Sequence, residues 1–246
     1  MKKLILLACA AVLSITLQAQ QIMVVKLNDN TQKEFNVSSI RRVTFRTSEI
    51  PDDPPISLSC PDDHHPHIID LGLPSGKKWA CCNVGASTPE DYGGYYAWGE
   101  TEEKINYDWD SYKYGRDYDD CDYIGDDIAG TEYDVAAVKW GNPWRMPSFE
   151  MLQELVDNCT WEWTSVNDVN GYLLTGSNGG TIFLPAAGGC AFYDFVLDGF
   201  DGYYWSSTLN PEDRDEAYYL FFRSTFEDLQ NPAFLFLGFP VRPVSK

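Results

Sequence analysis

The strongest constraint on this chain is where its rings lie. All eight tryptophans and all fifteen tyrosines fall beyond Ile68. Ahead of them runs a stretch with Pro51, Pro54, Pro55, Pro61 and Pro66 set among aspartates. Such proline-rich polar sequence stays semi-extended and buries little apolar surface. The ring-rich remainder must therefore build its own core, and its length is ordinary for a single domain. The reading that follows is residues 1–19 as a signal, 20–47 as a small β-module, 48–67 as a linker and 68–246 as the main domain.

At the start, Lys2 and Lys3 precede an apolar run from residue 4 to 17 that closes on Leu17-Gln18-Ala19, a small-residue cleavage pattern. This predicts a secretory signal and a protein that is secreted or sits on the outer surface. Leu6-Leu7-Ala8-Cys9 resembles a lipobox, which makes lipid anchoring at Cys9 the alternative. Cleavage there would leave an apolar stretch short of the roughly seven to fifteen residues such a region needs, so free secretion is the expectation. No other run approaches the roughly 18 apolar residues of a membrane-spanning helix.

Removing the signal takes two lysines from a chain of formal charge -19, which leaves -21. So acidic a surface repels phosphate backbones, which argues against a nucleic-acid partner and leaves cations and neutral polar ligands open. It also removes one of seven cysteines. The remaining six (Cys60, Cys81, Cys82, Cys121, Cys159 and Cys190) allow 15 disulfide pairings, among which sequence cannot choose. Buried thiols in a fold large enough to need no staples are an equal alternative. The absence of a Cys-x-x-Cys spacing argues against a zinc ribbon.

Residues 22–27, 33–37 and 40–45 are β-prone runs, which predict a hairpin and a third strand in the first module. In the main domain, Thr131-Glu132-Tyr133-Asp134 has capping-box form ahead of an apolar stretch at 135–138. Pro147-Ser148 opens a second helix, in which Phe149, Leu152, Leu155 and Val156 recur at helical spacing. Short strands are expected at 171–175, 181–184, 202–206, 217–222, 234–237 and 240–244, split by Gly, Asn and Asp turns. Early helices and late strands predict an α+β domain on an antiparallel sheet. The aromatic runs 202–205 and 217–222 should send some rings into the core and others to the surface. Gly93-Gly94 and Gly188-Gly189 suit tight turns or close backbone approach.

Several ordered segments carry a resemblance. They are Asp70-Leu71-Gly72-Leu73-Pro74-Ser75-Gly76-Lys77-Lys78-Trp79-Ala80, Asn83-Val84-Gly85-Ala86, residues 89–101 with their Gly-Gly-Tyr-Tyr-Ala-Trp-Gly-Glu core, and Trp144-Arg145-Met146-Pro147. Leu184-Pro185-Ala186-Ala187-Gly188, Gly202-Tyr203-Tyr204-Trp205-Ser206-Ser207 and Val241-Arg242-Pro243-Val244 follow. Together they resemble the Fibrobacter succinogenes major paralogous domain family over nearly all of 68–246. That resemblance implies a C-type-lectin-like domain, with short helices and a twisted antiparallel sheet, distantly related to the formylglycine-generating enzyme architecture. It also implies secreted or surface proteins, and fold similarity of this kind transfers no function. The chain departs from the family at Pro243, where the family's cysteine is expected, so a disulfide at that position is absent.

The candidate sites are acidic or histidine-rich. His64, His65 and His67 are all the histidines present, set beside Cys60. Imidazoles suit zinc, nickel or copper, but a proline-rich connector supplies little of the rigid surround a metal site needs, so a solvated linker is the reading. In the run 117–127, Asp119, Asp120 and Asp122 are the candidate calcium ligands. Its spacing is not an EF-hand, and a solvated acidic loop is the alternative. Asn210, Glu212, Asp213 and Asp215 are the candidate ligand-binding residues, because Asn210-Pro211-Glu212 is similar to the triplet by which calcium-dependent lectins hold sugar hydroxyls. The Trp-Asn-Asp those lectins carry downstream is missing, which leaves a charged hairpin turn as the default. Arg145 and Arg242, isolated among aromatics, are expected to stack or to pair with a buried acid.

No nucleophile elbow, His-Glu-x-x-His pair or phosphate loop occurs. Cys81-Cys82 does not resemble a redox-active pair, and Glu102-Glu103 is unremarkable among 37 acids. A Cys-His dyad would have to borrow its histidine from the linker. The functional expectation is a non-catalytic module without a required cofactor, calcium being the one candidate, that binds a glycan or a cell-surface protein. A structural subunit of a surface assembly is the first alternative, and a metal-dependent enzyme on the same fold the weaker one.

Overall fold

The computed structural model describes residues 67–116, 120–192, 198–225 and 232–245 with their side chains, and only the backbone at 22–26, 32–36, 117, 194–196 and 226–228. The chain divides into two units, Met1–Asp53 and Pro54–Lys246. In the first, β1 (Ile22–Lys26) and β2 (Gln32–Asn36) form an antiparallel hairpin in which Ile22 faces Asn36 and Lys26 faces Gln32. The expected third strand at 40–45 and the signal at 1–19 lie outside the described residues.

In the second unit, β3 (Ile68–Asp70), β4 (Lys78–Ala80), β7 (Trp144–Arg145) and β17 (Val244–Ser245) make one sheet in the order β3-β4-β17-β7, which joins the unit's first and last described strands. β8 (Thr160–Val166), β9 (Val169–Thr175) and β10 (Thr181–Pro185) form a second sheet. A third holds β13 (Asp201–Leu209) against β14 (Glu216–Arg223), with β15 (Phe226–Asp228) and β16 (Pro232–Phe234) both on the far side of β14. Two short ribbons complete it: β5 (Gly115–Asp117) with β6 (Asp120–Cys121), and β11 (Gly189–Ala191) with β12 (Asp194–Val196). Every pairing between these strands is antiparallel. With two α-helices among the described residues, α1 (Val135–Trp140) and α2 (Phe149–Asn158), the fold is α+β and mostly β.

Two apolar clusters form the core. One gathers Trp98, Tyr107, Trp140, Trp205 and Phe239, the other Trp79, Leu152, Leu155, Tyr204, Leu220 and Phe222. Buried ring donors favour partners, and two of them tie the segment 96–98 to β13: Trp98 Nε1 donates to the Ser206 carbonyl and Trp205 Nε1 to that of Tyr96, both at 2.9 Å. The rings of the two aromatic runs turn inward more than alternation suggests. Tyr204, Trp205 and Phe222 are fully buried, while Tyr203, Tyr219 and Phe221 are half-buried and packed on one another.

Local details differ from expectation for identifiable reasons. The first helix is capped by Asp134 and not by Thr131. The Asp134 carboxylate accepts from the N–H groups of Ala137, Gly130 and Met146 at 3.0, 2.7 and 2.9 Å, which one hydroxyl could not match. In α2 the Ser148 hydroxyl turns to Glu150, and Thr208 of β13 accepts from the Phe149 N–H instead. Residues 240–243 do not form the expected strand, because the carbonyls of Pro240, Val241 and Pro243 accept from Trp205, Val84 and Ala80 on three separate segments. Gly93, at φ 78°, does occupy a tight approach: a Cβ there would stand 2.6 Å from the Val84 carbonyl oxygen.

Candidate functional site

Apolar side chains mark a surface for binding only where they escape the core. Among the described aromatics, Tyr123, Phe192, Phe200 and Phe234 are exposed, and two of these belong to one cluster. Its anchor is Trp109, in a short 3-10 turn held by reciprocal bonds between Asp108 and Ser111. The Trp109 ring meets Phe236 at 5.0 Å and Phe234 at 6.0 Å. Phe234 and Phe236 stack at 5.6 Å and 12°, and Phe192 lies 6.4 Å from Phe236. On the other side the band continues from Trp109 through Tyr112 and Tyr114 to Tyr133, at 6.0, 5.8 and 5.5 Å.

Phe192 is held out of the core by its backbone. Its φ of 55° is costly for an aromatic residue, by about 1–2 kcal/mol. Two bonds to Tyr107 fix it there, at 2.9 and 2.8 Å, and the ring is 59% exposed.

The two acidic stretches singled out in sequence meet beside this band. The Cys121 thiol donates to the Arg214 carbonyl at 3.3 Å. The Arg214 guanidinium sits 4.9 Å over the Tyr123 ring, and the Leu209 N–H donates to Asp126. The loop following Leu209 is tied to the aromatics in turn: Glu216 faces Phe234 across β14 and β16, and the Leu235 N–H donates to the Asp215 carbonyl. Burial pushes the Cys121 thiol up to about 12, with Asp215, Asp120 and Asp122 adding to the effect. Three carboxylates therefore bear on one sulfur. Residues 105–127 and 210–216 hold twelve carboxylates against Lys113, Arg116 and Arg214, a net -9 out of the chain's -19.

The candidate ligands divide accordingly. Asp122 is engaged by Arg116, Asp120 is exposed, and Asp119 lies outside the described residues. Among the described residues no group of three His, Cys, Asp or Glu side chains is placed to hold a metal ion. Asn210 is buried and bonded within its own loop: its Oδ1 accepts from the Glu212 N–H and its Nδ2 donates to Glu216, both at 3.1 Å. Asp213 caps the Asp215 N–H. The loop is thus internally bonded, with Glu212 and Asp213 still facing solvent.

Elsewhere, Glu102 pairs with Lys139 and Glu103 accepts from the Tyr95 N–H, so they act separately. Arg145 is partly buried, with an Nε that meets no acceptor. Arg242 is buried but, among the described residues, forms no ion pair with an acid; carbonyls hold it instead. His64 and His65 lie outside the described residues, whereas His67, the first described residue of the second unit, has Nδ1 3.5 Å from the Cys81 sulfur. Sequence reasoning missed Trp109, Phe192 and Phe234, because nothing local distinguishes an exposed ring from a buried one in so aromatic a chain. Comparison with family models, curated proteins and solved structures yields no match.

Proposed function

We propose that this protein is a non-catalytic recognition module, secreted or held at the cell surface, that binds a protein or glycan ligand through the Trp109, Phe192 and Phe234 face and its flanking acidic loops. The observation that carries the reading is the exposed Phe192 ring, kept outside the core on a strained backbone beside two convergent acidic loops. Rings of this kind serve as anchors in protein interfaces and as platforms for sugar C–H groups. The charge of -9 around them favours a ligand with a basic surface. The lectin-like fold and the membership in the major paralogous domain family belong to the same proposal. They are supported by the ordered motifs and by an antiparallel α+β unit whose first and last described strands share a sheet. Export is supported by the lysine-led apolar run at residues 2–19.

A structural role in a surface assembly is the second reading, favoured by the β1–β2 hairpin, since two strands alone are marginal in water. The test of the first is a glycan array and a pull-down from surface proteins, each run with the parent and with a Phe192→Ala, Phe234→Ala double variant. Both rings are exposed, so the variant should fold and bind at least about tenfold more weakly. Equal binding by parent and variant would rule out this face.

A further inference from the structure

A second site lies where two sheets present their edges to each other. β3 is the outer strand of the first sheet and β10 of the second. Between them is a cleft of about 490 Å3, within the size range of small-molecule sites. Its walls are apolar, from Ile68, Ile69, Leu173, Ile182 and Phe183, and Cys81 forms part of the lining. Cys81 follows β4 directly, and its N–H donates to the His67 carbonyl at 3.1 Å. That pairing sets the two side chains opposite one another and brings Nδ1 to 3.5 Å from the sulfur. A thiol beside an imidazole is the arrangement that makes cysteine a nucleophile.

We propose that Cys81 is a covalent capture site for apolar electrophiles of the α,β-unsaturated carbonyl class, which enter the cleft and are attacked by the sulfur with His67 as proton acceptor. In the step, Nδ1 takes the thiol proton and Sγ bonds to the β-carbon. The C=C π pair shifts toward the carbonyl as an enolate, and the imidazolium returns the proton to the α-carbon. Every atom of both partners stays in the adduct, so no oxidant, reductant or leaving group is needed. The reaction is a single addition, not a turnover, and it does not depend on the recognition face.

Selectivity has two sources. Cys81 is only 3% exposed, so a reagent reaches it by entering the apolar cleft, and Asp70 in the lining repels anionic ones. The other described thiols are poor competitors. Burial raises Cys121 to about 12 and Cys159 to about 11, which keeps both protonated at neutral pH. Cys82 and Cys190 are buried and do not line the cleft.

The experiment treats the full chain at neutral pH with N-phenylmaleimide or with a sulfonated maleimide of similar size, and follows each cysteine by peptide mass spectrometry. With the phenyl reagent, Cys81 should be modified about tenfold faster than Cys121 or Cys159, and about tenfold faster than with the sulfonate. His67→Gln should slow Cys81 by about tenfold or more while leaving Cys121 and Cys159 unchanged. Ile68→Glu, at a half-exposed wall position, should slow the phenyl reagent at Cys81 while leaving its rates at Cys121 and Cys159 unchanged. A Cys81 that lags behind Cys121 and Cys159 in the parent chain, or whose rate is unchanged by His67→Gln, overturns the proposal. Should either variant fail to fold, the comparison of reagents on the parent chain still decides.

Discussion

A guanidinium buried to 1% exposure needs compensation on every side. Arg242 obtains it from four oxygens: Nε donates to Asn83 Oδ1 at 2.8 Å, Nη1 to the carbonyls of Ala80 and Cys81 at 3.2 and 2.7 Å, and Nη2 to that of Phe183 at 2.8 Å. Carbonyl dipoles replace the expected carboxylate, and the planar fork reaches acceptors on β4, its exit and β10 together. Lysine, with a single point charge, cannot span them. Arg242→Lys is therefore expected to destabilise the fold by about 3 kcal/mol, lowering the melting temperature by roughly 6 to 12 °C for a protein of this size. A loss under about 2 °C would show that the carbonyl cage matters little. The sequence left stacking and pairing with a buried acid open for Arg242. Its partners were not legible, because Phe183 and Asn83 lie 59 and 159 positions away, and carbonyls leave no mark in composition.

Helices and strands were legible wherever one face of an element repeats. In α2, Leu152 and Leu155 are buried as their spacing requires, with Phe149 and Val156 partly covered. β9, β10, β13 and β14 contain the predicted runs with longer ends. β8 was missed because Thr160 begins it two residues after α2 ends, with no Gly or Pro to mark the change. At α1 the misreading concerned which residue caps, and the structure makes the cap a junction: the Asp134 carboxylate joins the helix to the Gly130 turn and to the end of β7 through Met146. Burial raises its pKa against the pull of these N–H donors. In Asp134→Asn one acceptor oxygen becomes a donor, so in either amide orientation at least one backbone N–H faces another N–H. The expected loss is about 2 kcal/mol, with Asp134→Ala no better. Urea denaturation of the parent and both variants measures it, and an Asn variant as stable as the parent would mean that helix and junction hold without the carboxylate.

At the scale of the molecule, the break in composition and the division of the chain coincide: the boundary after Asp53 falls inside the proline-rich stretch. The candidate site is less legible at this scale. Each acidic loop could be seen in sequence, but their meeting is made by long-range contacts such as that of Cys121 with Arg214, 93 positions apart. The two core clusters gather residues from Ile69 to Val244, so the second unit contains an apolar core. Deleting residues 20–47 from the mature chain should then change the melting temperature by no more than about 2 °C, less than a 1 kcal/mol loss would produce at this size. The same truncated protein separates the two functional readings. A recognition module keeps its ligand, because Trp109, Phe192 and Phe234 remain with their acidic neighbours. A structural subunit loses self-association in sedimentation while the fold stays intact, because its exchangeable strands are those removed. If truncation abolishes ligand binding at unchanged melting temperature, the first unit takes part in binding, and the aromatic face alone is not the site.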